Sequence, residues 1–160
     1  MTKLWVVNAS PLIVLGKISQ IDLLVKVPDA LVIPQGVVDE INMGPQNDPA
    51  RLWIENSGHQ YIREATPNPV VQNWDLGMGE THVISWALAN RNYEAIIDDL
   101  AARKCAQTLS VQVCGTLGVI LRAKKAGAID KIKPLLSDLQ NTGFRIAPDL
   151  MDTALKLAGE

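Results

Sequence analysis

Leu4-Trp5-Val6-Val7-Asn8-Ala9-Ser10-Pro11-Leu12-Ile13 carries an apolar run straight into a helix start. Residues 3–7 are short, apolar in the main and bounded by polar residues, as a strand buried on both faces must be. Ser10 is a good N-cap, and Pro11 suits the first helical position, where its missing N–H costs nothing. The same handover recurs along the chain. Residues 31–33, closed by Pro34, lead to a helix over 35–42, residues 95–97 to a helix over 99–108, and residues 111–113 to a helix over 116–126. Strands alternating with helices imply right-handed crossovers and a parallel sheet covered on both faces.

Working outward, apolar spacing predicts a first helix over 11–25, further helices over 49–56 and 80–90, a strand over 60–63 and a Pro/Asn-rich connection over 66–73. The tail reads as a helix over 129–140, a short strand over 144–146 and a helix from Pro148. No repeat, low-complexity tract or long linker divides the chain, so residues 1–160 are expected to form one doubly wound domain.

The bulk numbers exclude several classes. With 48% apolar and 20% charged residues the composition is that of an ordinary globular protein. No apolar run approaches the ~18 residues that a membrane span needs. Lys3 and the first apolar run suggest a signal peptide, but Asn8, Ser10 and Pro11 interrupt that run and no small-residue cleavage site follows. The expected location is therefore cytoplasmic. Cys105 and Cys114 have neither CxxC spacing nor a nearby His, which suits buried free thiols. The net charge of −2 hides an asymmetry, because residues 100–135 hold seven basic residues and one acidic residue. A basic flank beside an acidic centre is what a metal-dependent nuclease needs, with cations for the backbone and carboxylates for the metal.

Candidate site residues lie where strands hand over to helices: Asn8, Glu40, Glu80 and the pair Asp98-Asp99. Each has an ordinary structural explanation. Glu80 favours a helix dipole, Asp99 is a good N-cap, Asn8 suits a tight turn, and Glu40 reads as an exposed helix residue. Their joint placement argues for more. In an open α/β sheet the ligand site lies beyond the carboxyl ends of the strands, so these oxygens converge there. Converging carboxylates repel one another, and such sites hold hard cations such as Mg²⁺ or Mn²⁺. Gly77 and Gly79 leave room beside Glu80. Arg103, one turn after Asp99, either approaches a phosphate or pairs with Asp99 at i, i+4. Lys104, Lys124 and Lys125 are candidates for a nucleic-acid backbone. His59 and His82 form no metal pair, and no nucleophile elbow or Walker loop is present. Trp5, Trp53, Trp74 and Trp86 read as core or interface residues.

Several stretches together resemble the PIN-domain family, and within it a prokaryotic subgroup related to VapC-type toxins. They are Val6-Val7-Asn8-Ala9-Ser10-Pro11, Ile33-Pro34 with Val38-Asp39-Glu40-Ile41, Gly79-Glu80, Ile97-Asp98-Asp99-Leu100-Ala101-Ala102-Arg103 and Gly115-Thr116-Leu117-Gly118, with Ala123-Lys124-Lys125-Ala126-Gly127 and Gly143-Phe144-Arg145-Ile146 in the tail. The resemblance covers nearly the whole chain. It implies a three-layer α/β/α fold with a central, mostly parallel sheet and a Mg²⁺- or Mn²⁺-dependent ribonuclease cutting single-stranded RNA. Asn8, Glu40, Glu80 and Asp98 or Asp99 then occupy the family's acidic site, and Ser10 matches its small hydroxyl residue. An antitoxin partner and a homodimer are implied as well.

One residue departs from that pattern. Where the family carries Asp, this chain has Asn8, whose amide oxygen can ligate a cation but brings no charge. Two readings follow: a toxin-like metal-dependent endoribonuclease, or a PIN fold that has lost its charge complement and works by binding RNA or protein. A receiver-like phosphoryl-transfer domain is a third, weaker option, since it would want a reactive Asp where Asn8 stands.

Overall fold

The computed structural model describes residues 2–160. Five strands, β1 (Leu4–Val7), β2 (Ala30–Pro34), β3 (Ile62–Arg63), β4 (Tyr93–Ile96) and β5 (Val113–Cys114), form one all-parallel sheet in the order β3-β2-β1-β4-β5. Trp5, Val6 and Val7 are all fully buried. Successive strand residues face opposite sides, so burial of all three shows that helices cover both faces of the sheet. The expected three-layer α/β/α architecture is the observed one.

Among the described residues ten α-helices surround the sheet: α1 (Ala9–Lys17), α2 (Leu23–Lys26), α3 (Gln35–Asn42), α4 (Pro49–Asn56), α5 (Pro69–Gln72), α6 (Met78–Ala89), α7 (Leu100–Thr108), α8 (Thr116–Lys125), α9 (Lys133–Asn141) and α10 (Pro148–Leu157). α1, α3, α4 and α6 pack together beside β1 and β2, whereas α2 and α10 pack on α8. Leu12, Leu15, Ile33, Ile84, Ile96, Ile97 and Ile120 are fully buried between the layers, and Ile132, Leu136 and Leu139 extend the core under the tail. No helix among the described residues is long and apolar enough to cross a membrane.

Several boundaries differ from those expected, each for a local reason. The helix expected over 11–25 is broken. α1 begins at Ala9, so Asn8 and not Ser10 is its N-cap, and it ends where Ser19 turns left-handed at φ 59°. There Gln20 N–H donates to the Leu15 carbonyl (2.8 Å) and Ser19 N–H to the Gly16 carbonyl (3.1 Å), the paired bonds of a Schellman cap. Ser110 ends α7 in the same way at φ 60°, committing Val111 N–H to the Ala106 carbonyl, so β5 starts two residues later than expected. The strand expected over 60–63 is reduced to two residues by the 3₁₀ turn Gly58–Tyr61. The connection over 66–73 contains α5, whose first turn is capped by Asn68. α9 begins only at Lys133, because Pro134 is tolerated in a first turn and not in a helix interior. Residues 144–146, expected as a strand, pair with no other strand.

Candidate functional site

β1 leads through α1 to β2 on one side of the sheet, and β4 stands on the other side of β1. The strand order therefore reverses between β1 and β4, and the crevice of such a sheet opens there, beyond the strand carboxyl ends. Asn8 follows β1 and Asp98-Asp99 follow β4, so both flank that point, and Asn8 N–H ties the strands together by donating to the Ile96 carbonyl (3.0 Å). Only 4% of Asn8 is exposed, and its Oδ1 is buried without a hydrogen-bond partner.

Glu40 arrives from the second turn of α3 and is oriented by α6. Its Oε1 accepts from Gly79 N–H at 2.7 Å. Glu80, in the first turn of α6, folds back so that its Oε2 accepts from Gly77 N–H at 3.0 Å. Both contacts satisfy donors that a helix start otherwise leaves open. They also explain the two glycines. A Cβ on Gly79 would lie 3.0 Å from both carboxylate oxygens of Glu40, and one on Gly77 would lie 3.2 Å from Glu80 Oε2 and 3.5 Å from Glu40 Oε1. The room at Gly77 lies first beside Glu80, as the sequence suggested, and that at Gly79 is filled by Glu40. Burial raises the Glu80 carboxyl above the ordinary carboxylate range; the Gly77 N–H opposes this, while the charges of Asp99 and Glu40 add to it. Glu40, Glu80 and Asp99 thus share one electrostatic neighbourhood.

The two adjacent aspartates face different partners. Asp99 is the N-cap of α7, accepting from Ala102 N–H through Oδ2 (2.9 Å). Asp98 turns to the start of α8, where its Oδ1 accepts from Thr116 N–H (2.7 Å) and its Oδ2 from the Thr116 hydroxyl (2.6 Å). Thr116 is fully buried, so this pair latches the β4–α7 turn to the β5–α8 turn. Thr116 is not singled out by the sequence reading, which takes 115–118 as one of the stretches carrying the family resemblance. Its one signal was a hydroxyl at the first helical position. Gly115 fits beneath this latch because a Cβ there would meet Arg103 Nη1 at 2.8 Å and Asp98 Oδ1 at 2.9 Å. Arg103 accordingly sits over Asp98 and Gly115, and it forms no ion pair with Asp99.

The remaining sequence candidates are distributed unevenly. Ser10 is the second residue of α1, half-buried two positions after Asn8, and Lys104 is exposed on α7. Lys124 and Lys125 end α8, about 12–13.5 Å along the helix from Thr116 at 1.5 Å per residue. Lys124 pairs there with Glu160 (2.9 Å), and Lys125 borders a groove with Lys3, Leu4 and Glu94, residues at the opening ends of the strands. Arg122 pairs with Glu94 nearby. These cations occupy the sheet edge opposite the acids. The cysteines are buried and free, as expected. Trp5 lies in the core, and Trp53, Trp74 and Trp86 pack partly buried against it.

Among the described residues, no three Asp, Glu, His or Cys side chains close on a point as a preformed metal shell. The donor chemistry nevertheless fits a hard cation. The buried Asn8 Oδ1 lacks a partner, and one oxygen each of Glu40, Glu80 and Asp99 accepts no hydrogen bond among the described residues. A family model described as a PIN domain matches residues 4–160. Neither a curated protein nor a solved structure matches the chain.

Proposed function

This chain belongs to the PIN-domain family, and from that premise we propose that it is a Mg²⁺- or Mn²⁺-dependent endoribonuclease acting on single-stranded RNA, the toxin-like member of a VapC-related toxin–antitoxin pair. What supports this reading is that the Glu40 and Glu80 carboxylates both lie beside Gly77, that the charge of Asp99 reaches Glu80, and that the Asn8 oxygen at the end of β1 is buried without a partner. Asn8, Glu40, Glu80 and Asp99 would hold the cation. Such an ion, when bound, supplies Lewis acidity toward a scissile phosphate and lowers the pKa of its water.

The protein's own groups do the rest. Gly77 and Gly79 N–H fix the carboxylates of Glu80 and Glu40, so little reorganisation is needed at the moment of reaction. Asp98 has both oxygens on Thr116 and acts as a positioning residue that sets the turn carrying Asp99. Arg103 offers a guanidinium to the phosphate from the β5 side, and Ser10 lines the floor beside Asn8. Lys104 extends that charge along α7, while Lys124 and Lys125 meet only RNA that wraps to the opposite edge. A cytoplasmic homodimer held by an antitoxin completes the reading, and co-expression with the adjacent open reading frame followed by light scattering tests it.

A second reading rests on Asn8. With three carboxylates where the family pattern has a fourth acid, the site is short by one charge, which favours a binding role without cleavage. RNA cleavage against Mn²⁺ concentration, for the natural protein and Asn8→Asp, separates the two. Cleavage by the natural protein sustains the nuclease reading. Cleavage by Asn8→Asp alone establishes a dormant site, and cleavage by neither sinks the enzymatic reading.

A further inference from the structure

A groove of about 640 Å³ runs from Asp98 and Arg103 along the edge strand β5, walled by α7, α8 and the segment from Phe144 to Leu150. Its surface is mainly apolar. Phe144 is half-buried there, while Leu100 and Leu150 stand 82% and 50% exposed at its lips. Two cations border it, Arg103 and Arg145, and neither forms an ion pair among the described residues. Asp98, the carboxylate at its inner end, already accepts two hydrogen bonds from Thr116.

Charge decides what this groove takes. A polyanion approaching the acidic crevice is repelled on the Glu40 and Glu80 side. The Lys124 and Lys125 cations lie at the far edge of the sheet, and Lys124 is neutralised by Glu160. Arg103 and Arg145 are the cations that the fold brings to a cavity adjoining the crevice, so a nucleic-acid strand enters from their side. On that path it meets an aromatic ring and two exposed leucines, which suit unpaired bases and offer nothing to a duplex whose bases are stacked inside. Building on the nuclease reading, we infer that this groove is a nucleotide subsite. It takes an unpaired nucleotide next to the scissile phosphate, with the base against Phe144, Leu100 and Leu150 and the backbone phosphate on Arg103 and Arg145.

The test measures binding separately from cleavage. Fluorescence anisotropy is recorded for the full chain in EDTA with a short fluorescein-labelled single-stranded RNA of mixed sequence, and with an abasic strand of equal length and charge. Phe144→Ala is expected to raise Kd for the RNA about tenfold, the worth of one base–aromatic stack, and to leave the abasic Kd unchanged. Leu100→Ser and Leu150→Ser alter exposed positions that leave the core intact, and each raises the RNA Kd about threefold with the same selectivity. Arg145→Gln weakens both strands alike and lowers the salt slope by about one. Leu157→Ala, exposed elsewhere on α10, changes neither. Unchanged RNA Kd values in Phe144→Ala, Leu100→Ser and Leu150→Ser overturn the subsite, as does equal loss on both strands in these three variants. A groove serving an apolar segment of a partner protein would give the former result. Should this Kd pattern hold while Mn²⁺ produces no cleavage, the nuclease reading fails and the groove stands as a nucleotide-binding site without a scissile phosphate beside it.

Discussion

Replacing Thr116 by Val removes one atom from the latch that joins the two turns beside the crevice. The backbone bond from Thr116 N–H to Asp98 Oδ1 survives, while the 2.6 Å hydroxyl bond to Oδ2 is lost and a methyl group takes its place. A hydrogen bond to an ionised group is worth about 1.5–3 kcal/mol, and a carboxylate oxygen left against a methyl loses solvation as well. Thr116 is fully buried, so water cannot take the vacated position without opening the turn. The expected loss is about 2–3 kcal/mol, or roughly 4–12 °C in Tm for a chain of this size. Thr116→Ser keeps the hydroxyl and deletes only a methyl, at a cost of about 1 kcal/mol. Urea unfolding of the two variants at neutral pH, with Cm compared at constant m, reads the difference directly. Equal stability of Thr116→Val and Thr116→Ser would refute the latch as the reason Asp98 faces away from Glu80.

Three further outcomes follow from other parts of the fold. Glu160 accepts from Ile132 and Lys133 N–H and from Lys124 Nζ, and these bonds hold its carboxyl down at about 2. A depressed carboxylate stabilises the fold above its unfolded pKa near 4.5 and loses that effect as pH falls toward 2; the deficit of Glu160→Gln in urea Cm should therefore be full at pH 7 and shrink at pH 3. Ser19 is left-handed where glycine would be unstrained, so Ser19→Gly should raise stability by up to about 1 kcal/mol, seen as a higher Tm without a change in secondary structure by circular dichroism. Both cysteines are buried, and burial pushes the Cys114 thiol up to about 11; neither should react with a thiol reagent at pH 8 until denaturant is added.

Much of this architecture can be read from the chain because strand-to-helix handovers leave a strong local mark. Val6-Val7-Asn8 and Ile97-Asp98-Asp99 show an apolar run ending in polar residues, and the parallel sheet follows from their alternation with helices. Ser19 escapes such reading because the apolar spacing continues past it through Ile21 and Leu24, and one serine in a left-handed conformation has no compositional signature. Residues 144–146 have the apolar character of a strand, yet a groove stands between them and the edge strand β5, and no ladder forms. Which way Asp98 turns depends on a side chain eighteen positions away in sequence, Thr116, which the run Ile97-Asp98-Asp99 does not announce. The basic segment over 100–135 is divided in space for a geometric reason. α7 and α8 both start at the acidic edge and run away from it, so charges adjacent in sequence end at opposite sides of the sheet.

The pairing of β1 with β4 sets a timetable for the molecule. Val7 lies opposite Ile96, and every neighbouring strand pair is parallel, so no hairpin brings them together early. During synthesis the Asn8 half of the crevice must wait until β4 has emerged and docked, and the Asp98 latch must wait longer still, for Thr116. A ribosome-bound fragment ending before β4 would hold Glu40 and Glu80 with no opposite wall. Long-range parallel pairing of this kind is slow to form. Whatever chemistry this crevice performs is therefore withheld from the nascent chain and acquired only when most of the polypeptide exists.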